Sequence, residues 1–320
     1  MGFITLVTIL SSEFIFLVWK LMGRILNFKQ SSVILIIFLA GNVGLNPEVS
    51  LASFSVDVGN IFQYDIHEAF IDSSFGSDFF YYDGIYVELA RIPVSSTVNI
   101  EVDEVSNTSV TYTLSYASLN HHDMCELNIL TPFLKLIAYG TTMPIMLVSH
   151  WGSVIAGTAF EWWGEPFLET DSDTWSTLEE LGNRFVTSFQ STSTDGIFID
   201  IEFETKEVNR EFSIEWFVNG SYIFTTTDDN LEFSYSGSIA YDMDTGVLLG
   251  VHLLGSSQGL VHGSIFDVSY EYLVEAKNYN LPDFGLRETS NLLPGFHWRV
   301  ILAGLLFSIS IFKLRNKRKV

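Results

Sequence analysis

Alternation of apolar and polar residues with period two dominates the middle of the chain. Over 98–105, Val98, Ile100 and Val102 point one way and Asn99, Glu101 and Asp103 the other. Ser106-Asn107-Thr108 follows as a turn, and then Val110, Tyr112, Leu114 and Tyr116 alternate with Thr111, Thr113 and Ser115. Successive strand side chains point to opposite faces, so this pattern predicts a half-buried antiparallel hairpin. A second hairpin is predicted from Phe212, Ile214, Trp216 and Val218, a turn at Asn219-Gly220, and then Tyr222 and Phe224. Asn-Gly tolerates the positive φ angles of a type I′ turn. A third hairpin joins 231–241 to 247–254 through Asp242-Met243-Asp244-Thr245-Gly246. A last strand places Phe266, Val268, Tyr270 and Tyr272 on one face and Asp267, Ser269 and Glu271 on the other.

The period changes once. Trp175, Leu178, Leu181, Phe185 and Phe189 recur at helical spacing, Asp171, Ser172 and Asp173 can cap the start, and Glu179 and Glu180 lie toward the positive dipole end. The stretch 119–170 has no steady period. The predicted fold class is therefore mainly β (α+β), a curved antiparallel sheet or half-barrel with one packed helix; a two-sheet sandwich is the alternative.

The two ends read differently. Residues 296–312 form an uncharged run apart from His297 and Arg299, at the short end of bilayer-spanning length. Trp298 and Arg299 occupy a membrane-interface position, and the tail behind holds Lys313, Arg315, Lys317, Arg318 and Lys319. That order predicts a stop-transfer helix over 294–312 with a basic cytoplasmic tail, 313–320. At the other end, residues 3–19 are apolar but interrupted by Ser11, Ser12 and Glu13, and 33–45 form a second apolar run. Read from Met22, the chain has the order of a secretory signal: Arg24 and Lys29, the apolar run, Pro47, then Ser50-Leu51-Ala52. The expected division is an apolar extension or extra transmembrane helix (1–21), a signal peptide or signal anchor (22–52), an acidic β-rich ectodomain (53–276), a juxtamembrane stalk (277–293), the span and the tail.

Charge supports this division. The formal net charge is −22, with 48% hydrophobic and 17% charged residues. Between 46 and 294 there are Arg91, Lys135, Arg184, Lys206, Arg210, Lys277 and Arg287 against every acid except Glu13, so 7 bases and 37 acids give −30. The flanking segments hold 9 bases and 1 acid, or +8. Basic ends inside and an acidic domain outside is the expected topology. So acidic a domain repels phosphate, which argues against a nucleic-acid partner.

Candidate chemistry is sparse. The single cysteine, Cys125, excludes an internal disulfide and any multi-Cys zinc site. It sits in His121-His122-Asp123-Met124-Cys125, where imidazole, carboxylate and thiolate could ligate a metal. Adjacent histidines on a strand diverge, however, and an exposed polar loop is the preferred reading. Asp242-x-Asp244-x-Gly246 resembles the opening of a calcium loop, but the twelfth position is Leu253, so the expected object is a hairpin turn. No Gly-x-Ser-x-Gly, His-Glu-x-x-His or phosphate loop occurs. No catalytic residue, metal site or cofactor is assigned. Asn107 and Asn219 open sequons and are candidate glycosylation sites. Trp151, Trp162, Trp163 and Trp175 fill the core between helix and sheet or line an apolar pocket.

Two short patterns carry a resemblance. Val56-Asp57-Val58-Gly59-Asn60-Ile61-Phe62-Gln63-Tyr64 resembles the opening of exported β-domains of archaeal choice-of-anchor cell-surface proteins. Tyr241 to Leu249 is similar to a hairpin near the C-terminal end of such domains, and to one in bacterial lipoprotein-carrier half-barrels. The resemblance implies an anchored cell-surface β-domain of no established activity and supplies no catalytic residues. The expected function is a single-pass membrane protein whose ectodomain is a non-enzymatic binding or interaction module. Its partners would be the lipid bilayer and cell-surface proteins, glycans or a lipid ligand. The alternatives are a carrier or sensor of an apolar ligand and an extracellular hydrolase.

Overall fold

The structure, a computed structural model, describes residues 54–87, 90–126, 165–190, 197–224, 229–261 and 263–282. The expected membrane-directed segments (1–52, 294–312), the basic tail, Trp151, Trp162, Trp163, Trp298 and Arg299 lie outside the described residues. No helix among the described residues is long and apolar enough to cross a membrane.

The described chain is mainly β, as the alternation predicts. Strands β1 (Ile61–Phe75), β2 (Asp78–Asp83), β5 (Thr97–Val105), β6 (Ser109–Tyr116), β7 (Leu119–Glu126), β8 (Ile197–Val208), β9 (Glu211–Phe224), β10 (Asp229–Asp242), β11 (Leu248–Val261) and β12 (Ser264–Ala276) form one sheet. Its order is β7-β6-β5-β1-β12-β11-β10-β9-β8, with β2 added beside the second half of β1. Every pairing is antiparallel. β3 (Ile85–Val87) and β4 (Ala90–Ile92) make a separate two-stranded ribbon. The helix α1 (Ser172–Gln190) is the one helix among the described residues. Its first turn is capped by Asp171, whose Oδ1 accepts the Asp173 amide at 3.2 Å.

Local meanders build each half, and β1 joins them. It pairs with β5 over Ile61–Asp65 and with β12 from Tyr64 onward. A bulge between Ile66 and Glu68 resets its register, so Tyr64 and Ile66 and then Ala69 and Ile71 are buried on the same side.

One face of the sheet carries the core: Val98, Ile100, Val110, Leu114, Ile214, Trp216, Phe233, Val251, Val268, Tyr270 and Tyr272 are all buried there. We call it the helix face, because Trp175, Leu178 and Leu181 of α1 pack on it. The Trp175 ring lies 5.2 Å from that of Phe212 and 6.4 Å from that of Tyr241. Burying an aromatic or aliphatic side chain of this size contributes about 1.5–3 kcal/mol.

The second predicted hairpin is corrected. Asn219-Gly220 is not a turn but lies inside the unbroken strand β9, flanked by β8 and β10. Gly220 serves close approach rather than positive φ: a Cβ there would stand 2.6 Å from the Phe198 carbonyl oxygen and 2.9 Å from Phe233 Cε1. The predicted turns at 106–108 and 242–247 are present.

Candidate functional site

The sheet has two distinct ends. The base carries the β8–β9 and β10–β11 turns, the start of β1 and the end of β12; the tip carries the β1–β2, β9–β10 and β11–β12 connections. With 14 residues at about 3.3 Å each, β10 separates them by about 46 Å.

At the base, residues 165–170 cross the helix face. Phe167 bridges Val247, the Leu168 amide donates to the Gly246 carbonyl at 2.8 Å, and the Leu248 amide donates to the Pro166 carbonyl at 2.9 Å. The Phe167 ring meets those of Phe62 and Tyr112 edge-on at 5.6 and 5.9 Å. Beneath it lies a buried polar cluster. Tyr64 donates to the Leu248 carbonyl at 2.9 Å, Tyr241 to the Glu165 carbonyl at 3.1 Å and Tyr112 to Asp123 Oδ2 at 3.3 Å. The Tyr64–Leu248 bond joins β1 to β11 across 184 positions.

Cys125 belongs to this cluster. Burial first, and the adjacent Glu165 carboxylate second, push its thiol well above its ordinary pKa. Burial likewise holds the Tyr64, Tyr112 and Tyr241 phenols protonated far beyond their usual range, with Cys125 adding to it at Tyr64 and Tyr112 and Glu165 at Tyr241. A protonated buried thiol is a poor nucleophile and a poor metal ligand. The phenols are therefore neutral hydrogen-bond donors: Tyr64 and Tyr112 cross-link strands, and Tyr241 ties the 165–170 segment to the sheet.

The segment His121–Cys125 is corrected from an exposed polar loop to strand β7, paired with β6. The predicted divergence of the histidines holds. His121 stands opposite Leu114 on the helix face, whereas His122 reaches Thr113 Oγ1 at 2.7 Å and Asp103 Oδ2 at 3.5 Å on the reverse face. Among the described residues no group of three His, Cys, Asp or Glu side chains could hold a metal ion. The 242–247 turn uses its acids internally: Asp242 Oδ1 accepts the Asp244 and Thr245 amides at 3.0 and 2.8 Å, and Asp244 pairs with Arg210 at 2.7 Å.

Asn107 is exposed at the β5–β6 turn, whereas Asn219 is a half-buried position within β9. Of the four tryptophans, Trp175 is placed in the helix–sheet core. The end of the described chain also packs on the sheet. Glu275 Oε1 accepts the Leu281 amide at 2.7 Å, Oε2 lies 3.1 Å from His67 Nε2, and Tyr279 donates to Glu211 at 2.5 Å.

The reverse face at the tip holds a feature that the sequence reading missed. Phe79 and Ile265 are 69% and 70% exposed, with Tyr81, Phe198, Ile223 and Leu260 exposed beside them. All six fall on three neighbouring register rows: Tyr81 and Asp72, Phe79 and Ser74, and Ile265, Leu260, Asn230 and Ile223. In sequence they are scattered over five strands, and only the pairing gathers them.

Comparison with protein-family models, with characterised proteins and with solved structures finds no match. The fold itself defines the class: among the described residues, a mainly β domain built on one large antiparallel sheet with one packed helix.

Proposed function

We propose that this chain is a membrane-anchored cell-surface protein whose acidic β-domain is a non-catalytic binding module. The observation that carries this reading is where the chain enters and leaves the sheet. Residues 54–60 lead into β1 at the base, where Ser55 bonds Thr170 at 2.7 Å, and residues 277–282 leave β12 at the base as well. In sequence the apolar run 33–45 precedes the first by eight residues and 296–312 follows the second by thirteen. Exit from one end lets both segments enter one bilayer while the tip faces away. The basic residues beyond each segment favour the cytoplasmic side. Curvature of the sheet toward a half-barrel belongs to the same reading, since glycines inside strands, here Gly220, Gly237 and Gly255, are found at tight bends.

The test is topology mapping of the full chain in right-side-out vesicles. Alkaline carbonate should leave it in the membrane, added protease should digest the β-domain, and a tag after Val320 should stay protected. Release by carbonate, or digestion of the tag with the β-domain protected, would overturn the reading. A carrier of apolar ligands is a second reading, favoured by an apolar helix face that runs across nine strands. A lipid copurifying with the protein in native mass spectrometry supports it; a ligand-free mass does not.

A further inference from the structure

We infer that the reverse face at the tip is a docking surface for a partner that presents apolar side chains ringed by Lys or Arg. The inference rests on the binding-module reading and assigns it a surface. Phe79, Tyr81, Phe198, Ile223, Leu260 and Ile265 supply exposed apolar area on one side of seven adjacent strands. Ile265 and Leu260 are direct cross-strand partners, and Ile223 follows two strands on, opposite Asn230. Phe79 and Phe198 close the next row at its two ends. That row runs Phe79, Ser74, Asp267, Gln258, Glu232, Ser221, Phe198, so about 29 Å separate the two rings at about 4.8 Å per strand. The apolar side chains stand in groups, Phe79 with Tyr81, Ile265 with Leu260 and Ile223 diagonal to Phe198, around the polar middle of that row, and large exposed apolar side chains gathered on one face mark interaction sites.

Charge selects the partner. Asp72, Asp200, Glu232 and Asp267 stand on these rows or on the one beside them, and no described Lys or Arg does. The described bases lie elsewhere: Arg91 beside Asp83, Arg184 beside Glu180 on α1, Lys206 and Arg210 at the β8–β9 turn, and Lys277 beside Gln63. A second copy of this acidic surface would set carboxylate against carboxylate, and an anionic lipid surface would be repelled. A basic apolar surface satisfies both features at once.

Four short immobilised peptides test this: Lys/Leu, Glu/Leu, Lys/Ser and Glu/Ser. The full chain flows over them in phosphatidylcholine nanodiscs if it inserts, and in buffer if it does not. Failure of the anchoring reading is thereby seen separately. The expected result is binding to Lys/Leu alone, weakened by salt. It should fall about ten-fold in I265S/L260S and should show a weaker salt dependence in D200N/E232Q, which leaves Asp72 and Asp267 in place. All four substituted positions are exposed, and unchanged thermal unfolding confirms that the variants fold. Equal binding to Lys/Ser or to Glu/Leu, or undiminished binding by I265S/L260S, would overturn the proposal. So would self-association of the protein that I265S abolishes, since a second copy would then occupy the surface.

Discussion

Gly237→Ala probes the packing of the helix face directly. Gly237 lies mid-strand in β10, opposite Trp216 of β9 and Leu253 of β11. The indole of Trp216, only 1% exposed, is folded over it. A methyl group at Gly237 would stand 2.5 Å from Trp216 Cε2 and 2.7 Å from Cη2, and closer still to Cζ2. The ring cannot swing outward without displacing a filled core. Forcing an extra methyl into such a site costs about 1–3 kcal/mol, whereas the smaller entropy of an unfolded Ala chain returns only about 0.4–1 kcal/mol. The net expectation is a loss of about 1–2 kcal/mol, which lowers Tm by about 2–8 °C for a domain of this size. Far-UV circular dichroism of the protein during urea and thermal unfolding reads the change. Trp216→Leu alone also destabilises, by opening space. In the double variant the added methyl occupies part of that space, so the two losses should fall short of additive by more than about 0.5 kcal/mol. A Gly237→Ala protein as stable as the wild type, or strict additivity in the double variant, would refute the reasoning that ring-over-glycine contact holds this face.

Other outcomes follow from the base of the sheet. Cys125 should resist a maleimide in the folded protein and react promptly once urea unfolds it; fast labelling under native conditions would contradict its burial. The Tyr64, Tyr112 and Tyr241 phenols stay protonated in the fold but ionise near pH 10 in the unfolded chain. The unfolded state therefore releases protons above pH 10, and stability should fall by about 1.4 kcal/mol per pH unit for each phenol, about 4 for the three. Tyrosinate absorbance should rise in two stages, the second together with loss of the sheet signal; a single rise near pH 10 with the sheet intact would exclude the buried cluster. Glu275→Ala removes the acceptor of the Leu281 amide and the partner of His67, so residues 277–282 should become the first site of proteolytic cleavage. An unchanged cleavage pattern would mean that this carboxylate does not hold the segment.

The strands of the β5–β6 and β10–β11 hairpins, β12 and the helix were legible because each is a local pattern. Period-two burial at Val98, Ile100 and Val102, and helical spacing at Trp175, Leu178 and Leu181, need no knowledge of partners. β1 was not legible, since its bulge at Ile66 and Glu68 breaks the alternation that would have announced it. Asn219-Gly220 misled for a related reason. Glycine serves positive φ and close approach equally well, and only the neighbouring Phe233 ring and Phe198 backbone distinguish the two.

The sequence by itself determined that the described residues are mainly β with one helix, and that the middle of the chain is acidic while its ends are apolar and basic. Those are sums over neighbours in the chain. The tertiary structure decided which strands meet. Pairing β1 with both β5 and β12 brings Tyr64 to Leu248 across 184 positions and turns Cys125 into a buried member of a hydrogen-bonded cluster. The pairings among β2, β1 and β12 to β8 set Ile265 beside Leu260 and bring Phe79, Ile223 and Phe198 to the same face. Register across a sheet depends on packing between distant segments, and no local period encodes it.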